Sequence, residues 1–184
     1  MTRAFVITGP TAVGKGTVIA QLLDQIDDVW YSISATTRAP RPGEVDGVNY
    51  YFVTAQRFEE LVESGQMLEW AVVHGVHRYG TPRQPVVDAL NAGKLVILEL
   101  DLAGARQVRE SMPEATQIFI APPSWEELER RLRTRGTEDA QEQVRRLETA
   151  RVELAAEGEF DHIVINTTVA QATEELLNIM ADNG

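Results

Sequence analysis

Gly9-Pro10-Thr11-Ala12-Val13-Gly14-Lys15-Gly16-Thr17 is the stretch on which the reading of this chain turns. It follows Ala4–Thr8, a short apolar run rich in β-branched and aromatic residues, and precedes residues 18–23, whose apolar side chains recur at helical spacing. Strand, glycine loop and helix is therefore the local order. Gly9 and Gly14 let the backbone curl closely around an anion, so that successive N–H groups and a helix N-terminus face it, and Lys15 adds a mobile positive charge. The spacing G-x-x-x-x-G-K is that of a phosphate-binding loop. One position departs from the usual pattern: Gly16 follows Lys15 where a magnesium-ligating Ser or Thr is expected, and Thr17 comes one place late.

Outward from the loop, residues 31–37 alternate as a strand does, and Arg38-Ala39-Pro40-Arg41-Pro42-Gly43-Glu44-Val45-Asp46-Gly47 is a rigid, turn-rich segment with two arginines. Residues 49–53 read as a strand, Ala55–Glu63 as a helix, and residues 67–74 as a strand carrying Glu69. His77-Arg78-Tyr79-Gly80-Thr81-Pro82 reads as a turn into a helix over 83–92. Short strands this close together predict a small antiparallel or mixed sheet inserted after the first strand–helix unit. Residues 95–101, 117–121 and 162–166 are nearly continuous apolar runs, as expected of parallel strands buried on both faces. They alternate with helices, the last over 171–180, which predicts an α/β fold with a doubly wound parallel sheet. In such sheets the ligand lies beyond the carboxyl ends of the strands, where the loop, Glu99, Asp101 and Asn166 gather. Ser124-Trp125-Glu126-Glu127 is a capping box opening a helix through Arg135, which Gly136 ends. A second helix is expected over 137–156. Most arginines of this hairpin read as solvated partners of nearby glutamates, but Arg131 and Arg135 share a face, as a phosphate-clamping lid requires.

At 184 residues the chain holds one good core with room for a small inserted subdomain. No apolar run approaches a membrane span, and residues 1–3 lead directly into a strand, so a cytoplasmic setting is expected. The absence of cysteine excludes disulfides, thiolate nucleophiles and Cys-ligated metals. A formal net charge of −11 argues against broad nucleic-acid or anionic-membrane binding. Screening over about 8 Å still allows clustered arginines to hold a phosphate locally. All but Lys15 and Lys94 of the 17 basic residues are arginine, whose planar fork suits bidentate phosphate contacts.

These blocks together resemble the guanylate kinases, which move the γ-phosphoryl of ATP to GMP. The resemblance runs through the Gly14-Lys15 loop, Ser34-Ala35-Thr36-Thr37-Arg38-Ala39-Pro40-Arg41-Pro42-Gly43-Glu44, Leu68-Glu69-Trp70, Tyr79-Gly80-Thr81, Ile120-Ala121-Pro122-Pro123-Ser124 and Arg135-Gly136-Thr137-Glu138. It implies a P-loop kinase with a core (1–31, 83–122 and 157–184), a GMP-binding subdomain (32–82) and a helical lid (123–156). It further implies that Arg38, Arg41, Tyr50 and Tyr79 hold the GMP phosphate, and that Ser34, Glu69, Thr81 and Asp101, with Glu99 beside them, form the guanine side. A carboxylate such as Glu69 accepts from guanine's N1–H and 2-amino group but is left unpaired by adenine, and such a site can reject the wrong base by roughly 10⁴-fold.

By the same resemblance the whole stretch from Gly9 to Thr17 binds ATP, with Lys15 on its β- and γ-phosphates. Arg131, Arg135 and Arg146 approach the phosphates on closure, and Asn166 and Arg135 lie near the adenine. Lys15, Arg38, Arg131, Arg135 and Arg146 form the catalytic set. Magnesium is expected with ATP, held by phosphates and water with Thr17, Glu99 or Asp101 behind them; the residues do not rank these three. No general base is required, since a phosphate monoester has its second pKa near ~6 and is already largely dianionic at neutral pH. Two other readings fit parts of the pattern: a guanylate-kinase-like binding module without phosphotransfer, and a P-loop kinase for another phosphorylated acceptor such as a ribose phosphate.

Overall fold

The structure is a computed structural model describing residues 3–73, 75–134 and 140–183. Its centre is β1 (Ala4–Thr8), buried along its whole length. Ala4 and Val6 enter one core while Phe5 and Ile7 enter another on the opposite face, which is why the run is apolar throughout. β1 pairs in parallel with β7 (Leu95–Glu99) on one side and β8 (Thr116–Ala121) on the other. With β2 (Val29–Tyr31) and β9 (His162–Ile165) the parallel sheet has the order β2-β7-β1-β8-β9. α1 (Lys15–Leu23) packs against α7 (Val169–Asn183) over one core. α3 (Arg83–Asn91) and α4 (Leu102–Ser111) cover the other.

A second, four-stranded sheet of order β4-β3-β6-β5 consists of β3 (Ala35–Thr36), β4 (Tyr51–Phe52), β5 (Met67–Val73) and β6 (His77–Pro82). It is mixed: β3 runs parallel to β4 and antiparallel to β6. α2 (Ala55–Glu63) starts where the Thr54 hydroxyl accepts the Arg57 N–H at 3.1 Å, and its Phe58 forms a small separate core with Ala35 and Met67. α4 ties this sheet to the parallel one. The Gln107 amide accepts the Trp70 N–H and donates to the Trp70 carbonyl, both at 3.1 Å, and the Ser111 hydroxyl donates to the Leu68 carbonyl at 2.6 Å.

Three expectations are corrected. β9, expected as a buried strand, is the edge of the sheet, where Val164 is buried but Ile163 and Ile165 are 43% and 52% exposed, since an apolar run does not say whether a further strand or helix covers both faces. The alternation over 31–37 belongs to two strands: β2 pairs with β7 in the parallel sheet, and β3 belongs to the mixed sheet. Ser32 donates its N–H to Ile97 and Ser34 accepts from Tyr51, so the chain changes sheets between them; alternation reports a half-buried strand but not its partner. Residues 77–82 form a strand, not a turn. Gly80 is there for close approach: a Cβ on it would stand 2.6 Å from the Glu69 carbonyl oxygen and 2.8 Å from the Trp70 Cβ across the ladder.

α5 (Trp125–Thr134) begins as its capping box indicates, with the Ser124 hydroxyl accepting the Glu127 N–H at 3.2 Å. α6 (Ala140–Ala155) follows. Arg135, Gly136, Thr137 and Glu138 lie outside the described residues. Glutamate partners occupy several arginines of α5, including Arg130 and Arg131 on Glu127 and Arg133 on Glu129. Among the described residues no helix is long and apolar enough to cross a membrane.

Candidate active site

The loop between β1 and α1 lies at the carboxyl end of the parallel sheet. Ala12 (φ +66°) and Gly14 (φ +93°) both have left-handed backbone, which folds neighbouring N–H groups towards one side. For Ala12 that conformation is strained, as backbone at binding sites often is. At Gly14 glycine is required twice over, since a Cβ would also stand 2.8 Å from the Asn166 Nδ2. α1 begins at Lys15, so its first N–H groups, which lack partners within the helix, face the cleft framed by Gly9–Thr17, Glu99, Asp101 and Glu153.

Lys15 is half-buried and its ammonium donates to the Leu100 carbonyl at 3.3 Å. Burial lowers its pKa, and the opposing pull comes from Glu99, then Glu153, then Asp101. A lysine tethered by one long bond among three carboxylates is positioned to exchange that tether for an incoming anion. Glu153 stands out because the sequence reading gave it no part: reaching in from α6, its carboxylate accepts the Thr11 N–H at 3.2 Å.

Two further groups of contacts line the site, one at Glu99 and one on the second sheet. Tyr31 donates its hydroxyl to Glu99 at 2.5 Å, and burial, then this carboxylate, hold the phenol well above its usual pKa, with Tyr50 close enough to add to the rise. Tyr50 meets Tyr79 edge-on, with ring centres 5.8 Å apart. The Arg38 guanidinium lies 5.4 Å from the Tyr50 ring centre and donates to the Tyr79 hydroxyl at 3.1 Å. Arg38, Tyr50 and Tyr79 thus form one contact group on the mixed sheet, and Tyr31 with Glu99 another beside the loop cleft. The fork of Arg38 is engaged by Glu44 through two bonds of 2.9 and 2.8 Å, while Glu44 also accepts the Arg41 N–H at 2.7 Å. These bonds, with Tyr79's, keep the guanidinium charged. Arg41 is exposed beside it. Neither Tyr31 nor Glu44 was singled out from the sequence. Glu44 left a local signal, a carboxylate inside a two-arginine loop, whereas Tyr31 left none.

Also on the mixed sheet, Glu69 is 8% exposed and accepts the Thr81 hydroxyl at 2.7 Å. A register shift between Met67 and Glu69 makes Met67, Leu68 and Glu69 successively buried, which strict alternation would forbid. Burial raises the Glu69 pKa, the Thr81 hydroxyl lowers it, and Asp101 raises it further. Asp101 caps α4, accepting the Gly104 N–H at 2.7 Å. Ser34 is half-buried just before β3.

A cleft of about 440 Å³ opens on the opposite side of the loop, between it and residues 166–169. Asn166, 2% exposed, donates to the Val13 carbonyl at 2.8 Å, and Arg131 donates to the Val13 and Asn166 carbonyls at 3.0 and 3.4 Å. Arg131 thus ties α5 to the outer side of the loop. Arg146 is half-buried on α6. Arg135 is outside the described residues.

For magnesium the donor chemistry fits only in part. Glu99, Asp101 and Thr17 offer oxygen in the same cleft as Lys15. Among the described residues, however, no cluster of three or more His, Asp or Glu side chains forms a ready cage. That suits an ion which retains waters and substrate phosphates as most of its shell.

Comparison with known proteins follows the same lines. A family model described as guanylate kinase matches residues 1–183. The guanylate kinase of Leifsonia xyli subsp. xyli is 62% identical over 95% of this chain and 69% of its own length. That of Mycobacterium sp. (strain MCS) is 55% identical over 97% of this chain and 90% of its own. The crystal structure of guanylate kinase from Anaplasma phagocytophilum superimposes with a TM-score of 0.72 at 32% identity, covering 97% of this chain and 84% of that one. On sequence and on fold alike, the chain belongs to the guanylate kinase family.

Proposed function

We propose that this ATP:GMP phosphotransferase carries out its reaction in the cleft between the loop and the mixed sheet, with the phosphates of ATP on Gly9–Thr17 and GMP on the Arg38–Glu69 side. The observation that carries the reading is that the loop with Lys15 opens on one cleft while Arg38, Tyr50 and Tyr79 form a contact group on the mixed sheet, so that each of two polyanions has its own cationic partner. Arg38, Arg41, Tyr50 and Tyr79 hold the GMP phosphate. Glu69, oriented by Thr81 and joined by Ser34 and Asp101, reads guanine. The adenine of ATP occupies the cleft beside Asn166, with Arg131 at its edge. In this division residues 32–82 are the GMP-binding subdomain, 123–156 the lid and the remainder the core.

The acceptor phosphate is already anionic, so the protein's tasks are alignment and charge stabilisation. Lys15 follows the phosphoryl group as charge shifts, while the lid arginines exclude water and add positive charge. Thr17, Glu99 and Asp101 are the protein oxygens that would stand behind a magnesium ion bound with ATP, which would supply positive charge against that developing on the phosphates. The cytoplasm, with its supply of both nucleotides, is the setting this reading implies. An activity screen with GMP, dGMP, AMP and ribose phosphates tests it directly. GMP is the preferred acceptor, dGMP is accepted, and AMP and ribose phosphates are not; preference for any non-guanine acceptor would overturn it.

A pH prediction follows from Glu69. Its folded pKa lies above the ordinary carboxylate value of 4.5, so on acidification it takes up a proton earlier than an exposed glutamate would. Guanine requires the ionised form, so GMP affinity falls as pH drops, beginning above that value. GMP's phosphate titrates nearby as well, but equally for wild type and Glu69→Gln. The wild-type-to-variant ratio of GMP affinity should therefore shrink on acidification, and a constant ratio would count against Glu69. Stability takes the opposite sign, because a carboxyl whose folded pKa is raised binds its proton more readily in the folded state, so this contribution to stability rises as pH falls. An ionised buried carboxyl with a raised pKa opposes folding at neutral pH, so Glu69→Gln should not lower the melting temperature there.

A further inference from the structure

Glu153 sits in the phosphate cleft, and nothing in the transfer scheme uses it. It comes from α6, outside both sheets, and its carboxylate accepts the Thr11 N–H while lying near Lys15. An anion on a loop N–H beside the loop lysine occupies the environment a phosphate oxygen would seek. Its surroundings are already crowded with negative charge, since Glu99 and Asp101 line the same cleft. Burial, opposed by the Thr11 N–H and Lys15 and assisted by Asp101, pushes the Glu153 carboxyl up, which describes a charge held where it is not comfortable. A triphosphate and this carboxylate cannot share the cleft without strong like-charge repulsion.

We propose that Glu153 is an internal substitute for the phosphates of ATP, holding Lys15 and the loop until the nucleotide displaces it. The inference rests on Gly9–Thr17 being the ATP phosphate site. It gives displacement an electrostatic consequence. Arg146 precedes Glu153 by seven residues, two helical turns, and so lies on nearly the same face of α6, about 10 Å along the axis. Expelling the carboxylate removes a negative charge from the α6 face that also carries this arginine, so the field that α6 presents to the cleft turns more positive as the nucleotide enters. ATP binding and the charge that the lid presents are thereby linked through one side chain.

The test is titration of the full chain and of Glu153→Gln and Glu153→Ala with a non-hydrolysable ATP analogue and, separately, with inorganic tripolyphosphate. The Gln variant keeps the shape and an acceptor for the Thr11 N–H while removing the charge, and far-ultraviolet circular dichroism verifies folding of both. Removing a competing charge-assisted hydrogen bond should tighten both probes by about tenfold. Tripolyphosphate lacks the base, so an equal gain with it places the effect in the phosphate cleft. If wild type binds and both variants bind equally or more weakly, Glu153 is a supporting residue of the loop and the proposal fails, with the loop's assignment intact. If wild type binds neither probe, the assignment of the loop itself fails.

Discussion

Lys15→Ala should lower kcat for phosphoryl transfer by about a thousandfold, the scale of losing a charged group that acts on a transition state in a partly desolvated cleft. The melting temperature should move little, because two effects of opposite sign meet at this position. Burial depresses the Lys15 pKa, so folding disfavours its protonated form, and deleting it relieves that cost at any pH below the ordinary lysine value of 10.5. The deletion also leaves Glu99, Glu153 and Asp101 without their shared counter-charge. A steady-state assay at saturating ATP and GMP, paired with a thermal melt, checks both halves. Near wild-type turnover would remove Lys15 from the mechanism, and a collapse of the melt would make it a structural residue.

Arg38→Ala should raise the KM for GMP by about a hundredfold, in keeping with the loss of charge-assisted hydrogen bonds to a phosphate dianion. The loss exceeds the missing attraction because Glu44 is uncovered. In the wild type its two oxygens are engaged by the Arg38 fork, and without that fork the carboxylate keeps the Arg41 N–H but its charge is no longer offset by the guanidinium beside the incoming phosphate. Arg38→Lys should not restore affinity, since an ammonium cannot span both carboxylate oxygens and also reach Tyr79 as the guanidinium does. Adding Glu44→Ala to Arg38→Ala should recover part of the affinity by removing the repulsion. Measuring KM for GMP across this set decides the matter. An unchanged KM in Arg38→Ala would sink the assignment, and a double variant no better than the single would limit Glu44 to shaping its loop.

The sequence by itself determined the strand–loop–helix at Gly9–Thr17, the buried parallel strands β1, β7 and β8, the capped start of α5 and the bounds of α2. Each of these is written in residues close together: a glycine spacing, an apolar run, a hydroxyl three places before the N–H it accepts. It also singled out Glu69 and Thr81, because a resemblance supplied what local chemistry could not. It did not determine that residues 31–37 are divided between two sheets, or that residues 77–82 are a strand with Gly80 pressed against Glu69 and Trp70. Pairing across a sheet depends on a partner elsewhere in the chain, and no window of local sequence contains it.

The cluster around Lys15 shows the same division. Thr11 meets Glu153 across 142 residues, Tyr31 meets Glu99 across 68, and Gln107 reaches Trp70 across 37. These contacts exist because the strands' carboxyl ends and the helices packed on them converge at one end of the sheet. The sequence specified which groups could bind phosphate. The tertiary structure alone decided which of their charges face one another, since electrostatic interaction depends on distance in space and on burial, and neither is set by position along the chain.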